Sequence, residues 1–148
     1  MRRAAILAAL AAAACSGGPP QPASLDTKTE PCAFCRMAIS DARLASQIVA
    51  PDEEPKFFDD IGCMRNHLRE RPVAAGSMAF VADHRTKAWV PAAQAVYTRV
   101  PGLETPMASH LVAHADPASR DQDPDAKGGE NVPLADLFGP VDPPGGRR

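Results

Sequence analysis

The chain has 148 residues, of which 45% are apolar and only 5% aromatic, and its formal net charge is −2. That length suits one ordinary domain or two very small ones. Sixteen prolines and ten glycines crowd toward the two ends, so the packed part is expected from about Cys32 to about Gly139. With no basic patch carrying interleaved aromatics, a nucleic-acid partner is excluded.

The first residues, "MRRAAILAALAAAACSGG", run from two arginines through an apolar stretch, Ala4 to Ala14, to a cysteine followed by small residues. This is the pattern of a secretory signal over residues 1–14, and it is too short to span a bilayer, which needs about 20 apolar residues. Cys15 directly after "AAA" resembles the lipobox of bacterial lipoproteins, where the thiol carries a diacylglycerol after cleavage. Ala12 stands where leucine is more usual, and an ordinary A-x-A cleavage is the alternative. A chain that starts at Cys15 loses Arg2 and Arg3, keeps 14 basic against 18 acidic residues, and carries a net charge of −4. It faces an oxidising compartment with Cys32, Cys35 and Cys63, an odd number that leaves at least one thiol unpaired.

Residues 15–31 have turn formers and polar side chains without an apolar period, which predicts a flexible tether. "MAISDARLASQIVA" (37–50) suggests two short strands or a bulged hairpin about an Asp-Ala-Arg turn. "KFFDD" reads as a strand. Asp59 or Asp60 then caps a helix from about Ile61 to Glu70, with Ile61, Met64 and Leu68 on one face and Arg71-Pro72 as its stop. A strand follows over 77–84, then a turn, then "AWVPAAQAVYTRV" as a strand interrupted by Pro91. Beyond Pro101-Gly102, Ser109 to Ala115 reads as a strand. Asp116 and Pro117 open a weak helix, and "ENVPLADLFG" closes the domain before a disordered tail at 140–148. The order strand, strand, helix, strand, then the same again, predicts an α+β protein with an internal duplication whose second helix has degenerated.

Chemistry concentrates in "CAFCRM" (32–37), for which three mechanisms compete. A redox dithiol uses the C-x-x-C spacing, but needs a strand before it and a helix after it. Structural zinc can take Cys32 and Cys35 with Cys63 and His67, the latter two one helical turn apart. A soft monovalent ion, Cu(I), prefers thiolate and thioether and accepts imidazole. Cys35 and Met37 can reach one such ion, and a second cluster, "PMASHLVAH", supplies Met107, His110 and His114. On a strand, His110 and His114 share one face. Asp59 and Asp60 are read as a helix cap and its neighbour. No nucleophile–base–orienter set is evident, so binding is expected and catalysis is not.

These residues together resemble the NosL family of copper-binding lipoproteins, accessory proteins for nitrous oxide reductase maturation. The resemblance lies in the signal ending at Cys15, in "CAFCRMAISD", "FFDDIGCM", "FVADHRTKAWVPAAQAVY" and "TPMASHLVAHAD", and it runs to about Asp116. It implies two small ββαβ units in tandem, divided here at about 32–86 and 87–139. It implies Cu(I) held by Cys35, Met37, Met107 and His110, with Cys32 and His114 as secondary candidates, in a periplasm-facing protein lipid-anchored to the inner or outer membrane. Its implied partners are apo-nitrous oxide reductase and an ABC-type maturation complex. In this chain Arg36 replaces a usual glycine between the two sulfurs, and His110 and His114 stand where Gly and an aromatic are common. The C-x-x-C spacing also suggests a Cys32–Cys35 disulfide in the absence of metal. A thiol-disulfide oxidoreductase and a structural zinc lipoprotein are the competing functions.

Overall fold

The computed structural model describes residues 18–139 and 143–145; the signal and Cys15 lie outside them. Two antiparallel sheets carry the fold. The first has strand order β2-β1-β3-β4, from β1 (Ser46–Val49), β2 (Lys56–Phe58), β3 (Met78–Ala82) and β4 (Trp89–Pro91), with helix α1 (Ile61–Glu70) between β2 and β3. The second has order β6-β5-β7, from β5 (Val96–Arg99), β6 (Leu111–His114) and β7 (Glu130–Val132). Helix α2 (Pro117–Asp121) and a 3-10 turn (Pro124–Ala126) lie between β6 and β7, and α3 (Leu134–Phe138) follows. In both sheets the first strand of the unit is flanked by its second and its last, so the fold is α+β with a ββαβ pattern written twice. The second copy has only five residues of α-helix where the first has ten.

The helices begin where side chains can cap them. Asp60 accepts from the Gly62 N–H at 2.6 Å, and the run ends at Arg71 because the next residue is a proline, which disfavours helical geometry before it. Ile61, Met64 and Leu68 are all buried. Asp116 caps α2 through the Ser119 N–H at 2.7 Å, with Pro117 in the first turn. The expected single strand through Pro91 is two strands in different sheets. Proline cannot donate to a ladder, and a turn closed by the Gln94 N–H on the Pro91 carbonyl separates β4 from β5. Because β4 pairs with β3, it stays with the first sheet although it lies beyond residue 86. The expected hairpin over 37–50 contributes only β1 and one bridge, Pro31 to Ala38, with an Asx turn at Asp41 between them.

Both units share one hydrophobic cluster, which includes Phe58, Ile61 and Met64 from the first and Tyr97, Leu111, Leu137 and Phe138 from the second. The sheets are also joined through their backbones, by the Asp83–Ala113 bridge and the His84 N–H on the Ala113 carbonyl at 2.8 Å. Part of the expected tether is docked. The buried Gln47 side chain accepts from the Ala23 N–H (2.8 Å) and donates to its carbonyl (3.1 Å), and Leu25 packs on the core. Part of the expected tail is docked too, since the Pro144 carbonyl accepts the Ala79 N–H at 2.9 Å. In both places a packed element offers a hydrogen-bonding group that a flanking segment satisfies. Among the described residues, no helix is long and apolar enough to cross a membrane.

Candidate metal centre

Residues 30–39 fold back on themselves. The Cys32 N–H meets the Met37 carbonyl at 2.8 Å, Arg36 N–H meets the Cys32 carbonyl at 3.0 Å, and the Ile39 N–H meets that of Glu30 at 3.1 Å. Arg36 has φ +70°, the left-handed conformation that glycine adopts without penalty. The sharp turn is therefore kept despite the side chain, at a cost of about 1 kcal/mol. As a result Cys32 points into the core, Cys35 sits half-buried, and Met37 stands 44% exposed. The turn is tied to the sheet by the Ala33 N–H on the Phe57 carbonyl, 2.7 Å.

Below this turn lies the start of α1. Cys35 Sγ donates to Asp59 Oδ2 at 3.2 Å, and Cys63, in the helix's first turn, is buried beneath. One ligand atom from each of Cys32, Cys35, Cys63 and Asp59 lies within 4.8 Å of all the others. Asp59 Oδ1 is buried without a hydrogen-bond partner, a costly state that a cation would relieve. All three cysteines are free thiols. Cys63 donates to Cys32 and lowers its pKa to about 6 against the cost of burial. The Cys63 proton is correspondingly held fast, and desolvation pushes Cys35 up to about 11. Within the cluster Cys32 is thus the thiol that gives up its proton most readily.

The second cluster arrives from the loop before β6. Asp60, while capping α1 with Oδ1, accepts the Met107 N–H on Oδ2 at 3.1 Å. Met107 is 45% exposed, and with Met37 it is an exposed large hydrophobic residue in a domain that buries most others. Adjacent carboxylates thus hold the Cys35 thiol and the Met107 backbone at the head of one helix. Ala108 and His110 have φ of +52° and +57°, and the Ala108 N–H closes a turn on the Thr105 carbonyl at 2.9 Å. His110 Nδ1 donates to the Leu103 carbonyl at 2.8 Å, a tautomer that leaves Nε2 as the nitrogen with a lone pair.

His110 and His114 do not share a face. The alternation requires extended backbone at every residue, and the left-handed His110 precedes β6 and breaks it. His114 is buried elsewhere, with Nε2 2.9 Å from Asp123 Oδ2. His67 is likewise absent from the sulfur cluster; its ring packs edge-on against Phe58 at 5.2 Å. The expected zinc set of Cys32, Cys35, Cys63 and His67 is corrected to three cysteines and Asp59. The sequence suggests Asp59 only as a helix cap or its neighbour, and Cys63 only as a member of the zinc set. Their common origin at a strand-to-helix junction was the available signal.

The arrangement comprises a thiol cluster of Cys32, Cys35 and Cys63 with Asp59, and two exposed thioethers, Met37 on the turn that carries Cys35 and Met107 on the loop that Asp60 holds. No curated protein and no solved structure matches the chain. Residues 22–139 match the family model described as NosL, a span that includes the thiol cluster, both thioethers and both sheets, and the chain therefore belongs to the NosL family.

Proposed function

We propose that the protein is a Cu(I) carrier, anchored through a lipid on Cys15 and facing the periplasm, that supplies copper for nitrous oxide reductase maturation. What supports this reading is the exposure of two thioethers together with the anchoring of Cys35 and the Met107 backbone by adjacent carboxylates, donors that the proposal gathers into an outer rim. Cys35 is held at 3.2 Å by Asp59, Met107 by Asp60 at 3.1 Å, and both Met37 and Met107 keep nearly half their surface exposed. Thiolate and thioether select a soft monovalent ion, and a rim open on one side lets an acceptor's ligands reach the ion before the carrier's have let go. His110 Nε2 is an exchangeable imidazole for the same site. Apo-nitrous oxide reductase as recipient and an ABC-type complex as helper are part of this proposal.

A thiol-disulfide oxidoreductase is favoured less. Such an enzyme needs an accessible, acidic thiol, whereas here the acidic thiol, Cys32, is buried and the accessible one, Cys35, is pushed up to about 11 by desolvation. Structural zinc leaves the two exposed methionines unexplained.

Titration of anaerobic protein with Cu(I) against a competing chelator tests the reading. Met37→Leu with Met107→Leu should weaken Cu(I) binding at least tenfold, about 1.4 kcal/mol, and leave folding unchanged. Unaltered affinity in the double variant would remove the basis for the outer rim as the copper site.

A further inference from the structure

A second set of metal-binding side chains lies apart from the sulfur cluster, between the two sheets. His84 follows β3, His114 ends β6, and Asp123 caps the 3-10 turn, so three separate elements converge on one point. All three side chains are buried. Asp123 Oδ2 is 2.7 Å from His84 Nδ1 and 2.9 Å from His114 Nε2, and the three atoms lie within 4.8 Å of one another. The remaining ring nitrogens, His84 Nε2 and His114 Nδ1, are buried without partners.

We propose that His84, His114 and Asp123 form a second metal site, selective for a borderline divalent ion of the zinc(II) class. Two imidazoles and a carboxylate with no sulfur are the donor set that divalent ions of this class accept and Cu(I) does not prefer. Zinc bonds to nitrogen and oxygen are about 2.0–2.2 Å, which sets ligand atoms roughly 3.3 Å apart in a tetrahedron. Seating an ion thus requires the present contacts to open by about half an ångström, a side-chain adjustment.

The surroundings are negative. Asp123 Oδ1 accepts the Asp125 N–H at 3.0 Å, and Arg43 joins Asp125 (3.4 Å) to Asp41 (2.8 Å). Three carboxylates against one guanidinium suit a dication. Without an ion, each imidazole carries its proton on the nitrogen facing Asp123. With an ion between them those two nitrogens become ligands, so the protons they now direct at Asp123 must leave them. An ion here would tie both sheets together, which makes the site structural rather than a source of cargo.

Cobalt(II) titration of anaerobic, Cu(I)-loaded full-length protein tests the proposal. One Co(II) per chain is expected, with weak visible d–d bands, no near-ultraviolet sulfur-to-cobalt charge transfer, and displacement by Zn(II). His114→Gln and Asp123→Asn should each lower Co(II) retention at least tenfold, with Cu(I) stoichiometry and circular dichroism unchanged. No Co(II) uptake by the wild-type protein overturns the proposal, as do sulfur charge-transfer bands or retention unchanged in folded variants. If a variant fails to fold, the wild-type spectrum decides alone. Copper stoichiometry is read in the same sample, so failure of the carrier reading is visible separately.

Discussion

The Asp60 carboxylate accepts the Met107 N–H at 3.1 Å across forty-seven positions of sequence, and its other oxygen caps α1 on the Gly62 N–H at 2.6 Å. One side chain therefore starts the helix of the first unit and fixes a sulfur donor of the second. Asp60→Asn separates the two roles. The amide oxygen can still cap, since asparagine is as good a cap as aspartate, but the NH2 that replaces the second oxygen cannot accept from Met107. Thermal stability should fall by about 1 kcal/mol or less, because a single part-buried hydrogen bond is lost. Cu(I) affinity, measured by chelator competition, should fall about tenfold. An unchanged affinity would mean that the Met107 loop does not depend on Asp60 for its position.

Much of the frame was legible because its signals are local. The cap at Asp60, the stop at Arg71-Pro72 and the opening of α2 at Asp116-Pro117 each involve residues within one turn of each other. The repeated strand, strand, helix, strand order showed the duplication, and the sulfur residues of 32–37 announce themselves by adjacency. What escaped was set by distance or by backbone sign. Cys35 meets Asp59 across 24 positions, and nothing nearby distinguishes Asp59 from a residue beside a cap. His84 and Asp123, 39 positions apart, gave no pattern at all. That His110 and His114 share no face is equally hidden, because the positive φ at His110 that breaks the alternation cannot be read from alternating polarity.

Gly62 marks how closely the Met107 loop approaches the helix. A Cβ there would lie 2.9 Å from Ser109 Cβ and 2.9 Å from Asp60 Oδ1, nearer than such atoms normally come. In an open helix Gly→Ala would stabilise by about 1 kcal/mol. Here overpacking should win, with Gly62→Ala destabilising by about 1–3 kcal/mol in chemical denaturation and weakening Cu(I) binding by displacing the loop. Adding Ser109→Gly relieves one of the two clashes and should recover part of the loss. A double variant no better than the single one would place the strain on the Asp60 cap alone.

Asp83 links the sheets through hydrogen bonds alone. Burial pushes its carboxyl upward, but the Ala115 N–H (2.8 Å), the Ser119 hydroxyl (2.7 Å) and Thr86 (N–H at 2.9 Å) outweigh it and hold the pKa at about 2, below the ordinary 3.8. Because the folded-state value is depressed, the stability it confers is complete above pH 4 and is lost as pH falls toward 2. The amount is about 2 kcal/mol. Wild-type unfolding free energy should therefore decline across that window. Asp83→Asn should be less stable at pH 7, because the Ala115 N–H and the Ser119 hydroxyl share one oxygen in the wild type and the amide cannot replace every acceptor. Its stability should also change less between pH 4 and pH 2 than that of the wild type. Parallel profiles for the two proteins would show that other carboxylates govern the acid limb and that the sheet junction does not titrate through Asp83.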